Sequence, residues 1–189
     1  MGEDWGGRLV EGERFEGASF VEDDLSEVVT KGCVFDSCTF RGVRFNVSSH
    51  ERSAFTNCTF VRCVFFDATF TGCKLTGSRF EDCTFDLLKV VEGEWSFVSL
   101  NRADLRSASF TDVRMREADL GGIKAAKAVL TGLDLSGASL AKADLSAADL
   151  RGSDLTAIDP GSTNLRGAVI TYEQAVTLAL AQGLDVRPA

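Results

Sequence analysis

Six cysteines, one histidine and a recurring aspartate are the side chains here that could do chemistry. Cys33 with Cys38, or Cys58 with Cys63, could be paired zinc ligands; the alternative is that each thiol is a compact hydrophobe filling a buried slot. His50 could act as a general base if a cleft brought it a partner, and Glu51 and Arg52 beside it read as solvated charges. Asp104, Asp119, Asp134, Asp144, Asp149 and Asp154 could work as acid–base pairs if the fold converged them. No glycine-rich phosphate loop is present, and Gly121-Gly122 lies inside a repeat.

A period of five decides between these readings. From Phe15 to Ile170, every fifth residue gives 32 positions, of which 12 are Phe, 12 are Leu and 5 more are apolar. Only Thr30, His50 and Pro160 depart, although just 44% of the chain is hydrophobic, so the pattern is not chance. Two residues before each centre, 25 of 32 positions carry Ala, Cys, Ser, Thr or Val. The motif is plain in Ala103-Asp104-Leu105-Arg106-Ser107 and Ala138-Ser139-Leu140-Ala141-Lys142.

Neither a helix nor a strand keeps every fifth residue on one side. A chain that turns a corner every five residues does, and four corners close a coil of 20. The expected fold is an all-β solenoid, a right-handed quadrilateral parallel β-helix of about eight coils stacked at strand spacing. Core columns then run at intervals of 20, and Phe35, Phe40, Phe55, Phe60, Phe80, Leu105 and Leu145 belong to them. All six cysteines take the small inward position, which favours reduced, structural thiols. His50 falls on a core position above Thr30, a hydrogen-bonding neighbour. Each aspartate sits where the repeat wants a polar residue, so no enzyme, metal or cofactor is expected. The core passes from Phe-rich to Leu-rich near residues 86–99, where Leu88, Gly93 and Trp95 blur the motif and a change of coil shape is expected.

Three segments follow: an N-terminal stretch over 1–12 with Trp5 as an anchor, the β-helix over 13–170, and a helical end over 171–189. Thr171 and Gln174 form a capping box for a helix over Tyr172–Gln182, ended by Gly183. That helix would cap the last coil. The net charge of -8 argues against direct nucleic-acid binding. Residues 1–30 alone carry nine acids and two bases, whereas residues 101–170 are neutral by count. Acidic patches, not a continuous stripe, are therefore expected. A polar N-terminus and the lack of a long apolar run predict a cytoplasmic protein without a membrane span.

His50-Glu51-Arg52-Ser53-Ala54-Phe55-Thr56-Asn57-Cys58-Thr59-Phe60, Ala148-Asp149-Leu150-Arg151-Gly152, and the ending from Leu165-Arg166-Gly167-Ala168-Val169 through Glu173-Gln174-Ala175-Val176 to Gly183-Leu184 carry a closer likeness. The chain resembles the pentapeptide-repeat family, in particular its mycobacterial fluoroquinolone-resistance members. That resemblance implies a homodimer joined head-on at the C-terminal ends, here through Tyr172, Val176, Ala179, Leu180 and Leu184. It implies a rod that imitates duplex DNA, binds DNA gyrase, inhibits supercoiling and protects the enzyme from fluoroquinolones. The ATPase region of the gyrase B subunit is the implied docking site. Outward acids of the C-terminal half, Asp134, Asp144, Asp149, Asp154 and Asp159, are the contact residues it suggests. A scaffolding role, or immunity against a gyrase-targeting toxin, are the alternatives.

Overall fold

A residue that recurs every fifth position can stay inside only if the backbone bends at each repeat. In the computed structural model, which describes residues 5–187, it does so throughout the repeats. Strands of three to six residues pair strictly in parallel with the segment 20 residues on. Leu9–Glu11, Val29–Lys31, Ser49–Glu51, Thr69–Lys74, Lys89–Glu94, Ser109–Thr111 and Val129–Thr131 climb one face. Arg14–Glu16, Val34–Asp36 and Ala54–Thr56 climb the next and join the same 10-stranded sheet. A third face is a 4-stranded sheet from Ser19–Val21 to Arg79–Glu81. The fourth is held by single bridges such as Asp24 with Arg44 and Val64 with Thr84. The chain is therefore an all-β parallel solenoid of pentapeptide repeats. Pairing begins at Leu9, and Trp5 already donates its backbone N–H to the Asp24 carbonyl at 2.8 Å.

The interior is a set of stacked rings. Phe20, Phe40, Phe60 and Phe80 lie parallel with centroids 4.7, 4.8 and 4.6 Å apart. Phe15, Phe35 and Phe55 repeat this at 4.9 and 4.6 Å. These spacings are those of the strand ladder, so backbone pairing and ring stacking satisfy one repeat distance together. Beyond Trp95 the core is mainly aliphatic, with Phe110 still a buried ring, and the corner bonds become more frequent. In the first coils the residue three beyond the central side chain donates back to its carbonyl at one corner, as Ser48 does to Phe45 at 3.2 Å. Beyond Trp95 most corners do so, as in Ala103 to Leu100 and Ala138 to Leu135, both at 2.9 Å. The change of coil shape expected near residues 86–99 is present.

On the fourth face one rung of the ladder is open. On the fourth face Arg62, Phe65, Asp67 and Thr84 donate backbone N–H groups to Glu81, Thr84, Asp86 and Cys63 at 2.8–3.0 Å. One coil higher, Asp82, Phe85 and Asp104 make no such bond, and Leu87 turns instead to the Ser107 hydroxyl at 3.2 Å. The bridge that would join Thr84 to Asp104 is missing, while Asp104 pairs normally with Lys124 above. Phe65 and Phe85 have spread to 5.6 Å. Beside the gap, Leu88 fills an inward slot held by Ala68 below and Ala108 above. Across the rod, Gly93 closes tightly on Cys73, where an added Cβ would lie 2.3 Å from the Cys73 carbonyl oxygen. Amide-resolved hydrogen exchange checks the open rung. Asp82, Phe85 and Asp104 should exchange roughly tenfold or more faster than Arg62, Phe65 and Thr84; equal protection would mean the rung is closed in solution.

Thr171 caps the helix Tyr172–Ala181: its hydroxyl accepts from the Gln174 N–H, and the Gln174 side chain accepts from the Thr171 N–H. The buried Gln174 amide also donates to the carbonyls of Leu150 and Ser153, at 2.6 and 2.7 Å. One side chain therefore starts the helix and fastens it to the top coil, while Leu178 packs on the core.

Candidate functional site

The residues that could have done chemistry are enclosed. His50 is fully buried, and its ring stacks on Phe70 at 4.5 Å. Ser48 donates its hydroxyl proton to the Phe45 carbonyl at 2.7 Å, so it accepts from His50 Nε2 at 3.0 Å. Thr30 Oγ1, 2.8 Å from Nδ1, is then the donor on the other side. Both nitrogens are satisfied in the neutral form, and burial pushes the imidazole pKa down to about 3. Five of the six thiols are buried and Cys83 is half-buried. Several donate to carbonyls of the coil beneath, as Cys58 does to Phe35 at 3.4 Å. Burial raises Cys58 to about 12 and Cys73 to about 11, which leaves them protonated. Among the described residues no cluster of metal-binding side chains forms. What the chain offers to a partner is its outer surface.

That surface is built by the polar residue preceding each core side chain. Asp134, Asp144, Asp149, Asp154 and Asp159 all accept a backbone N–H two residues on, from Ser136, Ser146, Arg151, Thr156 and Gly161. Each carboxylate thus ties down its own corner. Hydrogen bonds hold all five acids below the usual carboxylate range: the Ser136 hydroxyl for Asp134, the Ser146 hydroxyl for Asp144 and the Arg151 guanidinium for Asp149. Asp154 is held by Thr156, and Asp159 by the Gly161 N–H and then Ser162. All are ionised at neutral pH.

The fold does not gather these acids on one face. Asp144 stands on the fourth face above Lys124, Asp149 on the first, and Asp159 on the third. Asp134 and Asp154 share the second, bridged by the Ser136 hydroxyl at 2.5 and 3.1 Å. Two of the five are matched by cations: Arg116 Nε reaches Asp134 at 2.5 Å, and Arg151 reaches Asp149 at 2.6 Å. Asp144, Asp154 and Asp159 have no ion pair among the described residues. On the first coil Glu11, Glu13, Glu22 and Glu27 are exposed and likewise outside the described ion pairs. The excess negative charge of residues 1–30 was the signal for them.

At the other end Tyr172, Leu180 and Leu184 are 82%, 55% and 58% exposed, with Val176 and Ala179 half-buried. Val186 adds to this apolar end, although its exposure could not be read from the repeat. No helix among the described residues is long and apolar enough to cross a membrane.

Comparison with known proteins agrees with this architecture. The family described as Pentapeptide repeats (8 copies) matches residues 96–124 and 123–156, and that described as SV2A/B/C luminal domain matches residues 8–85. The pentapeptide repeat protein MfpA of Mycobacterium tuberculosis is 38% identical over 97 residues, 51% of this chain and 53% of that protein. MfpA of Mycolicibacterium smegmatis is 48% identical over 50 residues, 26% of each. The aligned part thus spans about half the length of the first of these relatives and a quarter of the second. Full-length QnrB1, a plasmid-mediated fluoroquinolone resistance protein, has the same fold, with a TM-score of 0.74 and 19% identity over 96% of this chain and 95% of its own. A trypsin-treated form of QnrB1 aligns with a TM-score of 0.57, 20% identity and 98% coverage of this chain and 100% of its own.

Proposed function

We propose that this pentapeptide-repeat solenoid, related in sequence to MfpA, binds DNA gyrase in place of a duplex segment, inhibits supercoiling and protects the enzyme from fluoroquinolones. The sequence similarity to MfpA carries the reading. The shape supports it: eight coils at strand spacing give a straight, convex rod on the order of 35–40 Å long. The ionised aspartates at its corners supply negative charge without a catalytic cleft.

Two copies meeting at the exposed Tyr172, Leu180 and Leu184 would bury an apolar end and double the rod under a twofold axis. Asp144, Asp154 and Asp159, which have no ion pair among the described residues, are the acids of the C-terminal half best able to meet a basic surface. The ATPase region of the gyrase B subunit is the docking site this reading assigns. The neutralisation of Asp134 by Arg116, and of Asp149 by Arg151, makes the imitation of DNA uneven around the rod.

The test is supercoiling by purified cognate gyrase against increasing protein, with and without a fluoroquinolone. Dose-dependent inhibition, or less drug-induced DNA cleavage, is expected. No effect on either activity would overturn the reading and favour a scaffolding role. Protection against a peptide toxin alone would favour immunity.

A further inference from the structure

Twelve of the 14 phenylalanines lie on the core register; Phe66 and Phe97 do not, and both are exposed. Phe97 stands alone in its column, between Gly77 and Glu117. Phe66 does not. Its carbonyl accepts the Val47 N–H at 2.8 Å, which places the two residues on successive coils at one corner. Up that corner the turn position reads Glu27, Val47, Asp67, Leu87, an alternation of acid and apolar residues at strand spacing.

Val47 is 50%, Phe66 45% and Leu87 47% exposed. Val47 and Leu87 also adopt φ of +57° and +59°, the left-handed region that disfavours β-branched and bulky side chains. The same column carries Gly7 and Gly167 at its ends. Neither backbone preference nor burial explains two large apolar side chains here. Charge cannot orient the rod either, because its acids are spread over all four faces.

We propose that the corner formed by Val47, Phe66 and Leu87 fixes the rotational orientation of the rod against a protein partner. The complementary surface is apolar, with cations placed to meet Glu27 and Asp86, neither of which is in a described ion pair. Asp67 is already occupied by Lys89 at 2.8 Å. The inference rests on the gyrase reading and adds to it a contact that imitation of DNA does not supply.

The test is the full-length triple variant Val47→Asn, Phe66→Ser, Leu87→Asn, with Phe97→Ser as a control. Asparagine tolerates the left-handed conformation, so the triple variant should melt no lower than the wild type. Its half-inhibitory concentration against gyrase supercoiling should rise roughly tenfold or more, while Phe97→Ser keeps its potency. Wild-type inhibition matched by an equally potent triple variant overturns the inference alone. A wild type that leaves supercoiling untouched removes the gyrase reading, and this contact with it. Equal losses in the triple variant and in Phe97→Ser would show general surface stickiness and overturn the assignment to this corner.

Discussion

Phe60→Ala should lower the unfolding free energy by about 3–5 kcal/mol, the range for removing a fully buried aromatic side chain. Its ring has no exposed surface and is held from both sides, by Phe40 at 4.8 Å and Phe80 at 4.6 Å. Collapse cannot fill the void, because the coils above and below are fixed by their own backbone bonds. In a solenoid each coil leans only on its neighbours, so the damage should concentrate in the coils around residues 40–80. Denaturant unfolding of the full chain measures it. A loss below about 1 kcal/mol would mean that the column repacks and is not rigid. Any loss of gyrase inhibition in this variant would report folding, not contact.

His50 should make the protein acid-sensitive. Its pKa is depressed from 6.5 to about 3 in the folded state by burial. The unfolded chain therefore takes up a proton below pH 6.5, which the folded chain refuses until about pH 3. The stability linked to this group is whole above pH 6.5 and falls as pH drops, by about 1.4 kcal/mol per unit. Across the window the loss is about 5 kcal/mol. His50→Leu removes the titration with little change in volume. It also leaves Ser48 donating to Phe45 and Thr30 beside the Ser53 hydroxyl at 3.1 Å. Unfolding midpoints measured from pH 7.5 to pH 4 should fall more steeply for the wild type than for the variant. The surface carboxylates contribute equally to both proteins. Parallel slopes would refute the neutral buried imidazole.

The solenoid was legible because one period dictates several properties at once: which side chains are inside, which stack, and which residues pair. His50 above Thr30 is an example, since a separation of 20 alone made them neighbours. The surface was less legible. Arg116 reaches Asp134 across 18 residues, and Arg151 reaches Asp149 across two; such pairs depend on how a flexible side chain leans, which no column specifies. The aspartates read as generic polar positions, yet each accepts the second following N–H and secures a turn. Gln174 read as half of a capping box, and its bonds to Leu150 and Ser153 needed the helix to be seated. Phe66 lies off the register, and only the structure shows that Val47 and Leu87 share its corner.

The open rung gives the rod a direction of easy bending. Bonds between coils resist being pulled apart, and on the fourth face they are missing between Asp82–Leu87 and Asn101–Ser107. Opposite, the coils are held close at Cys73 and Gly93, and little remains there to compress. The stiffness of the shaft is therefore unequal around its circumference, least where that face is put under tension. A load applied at both ends would arch the rod with this open side outward, and on the fourth face the curvature would gather at that rung.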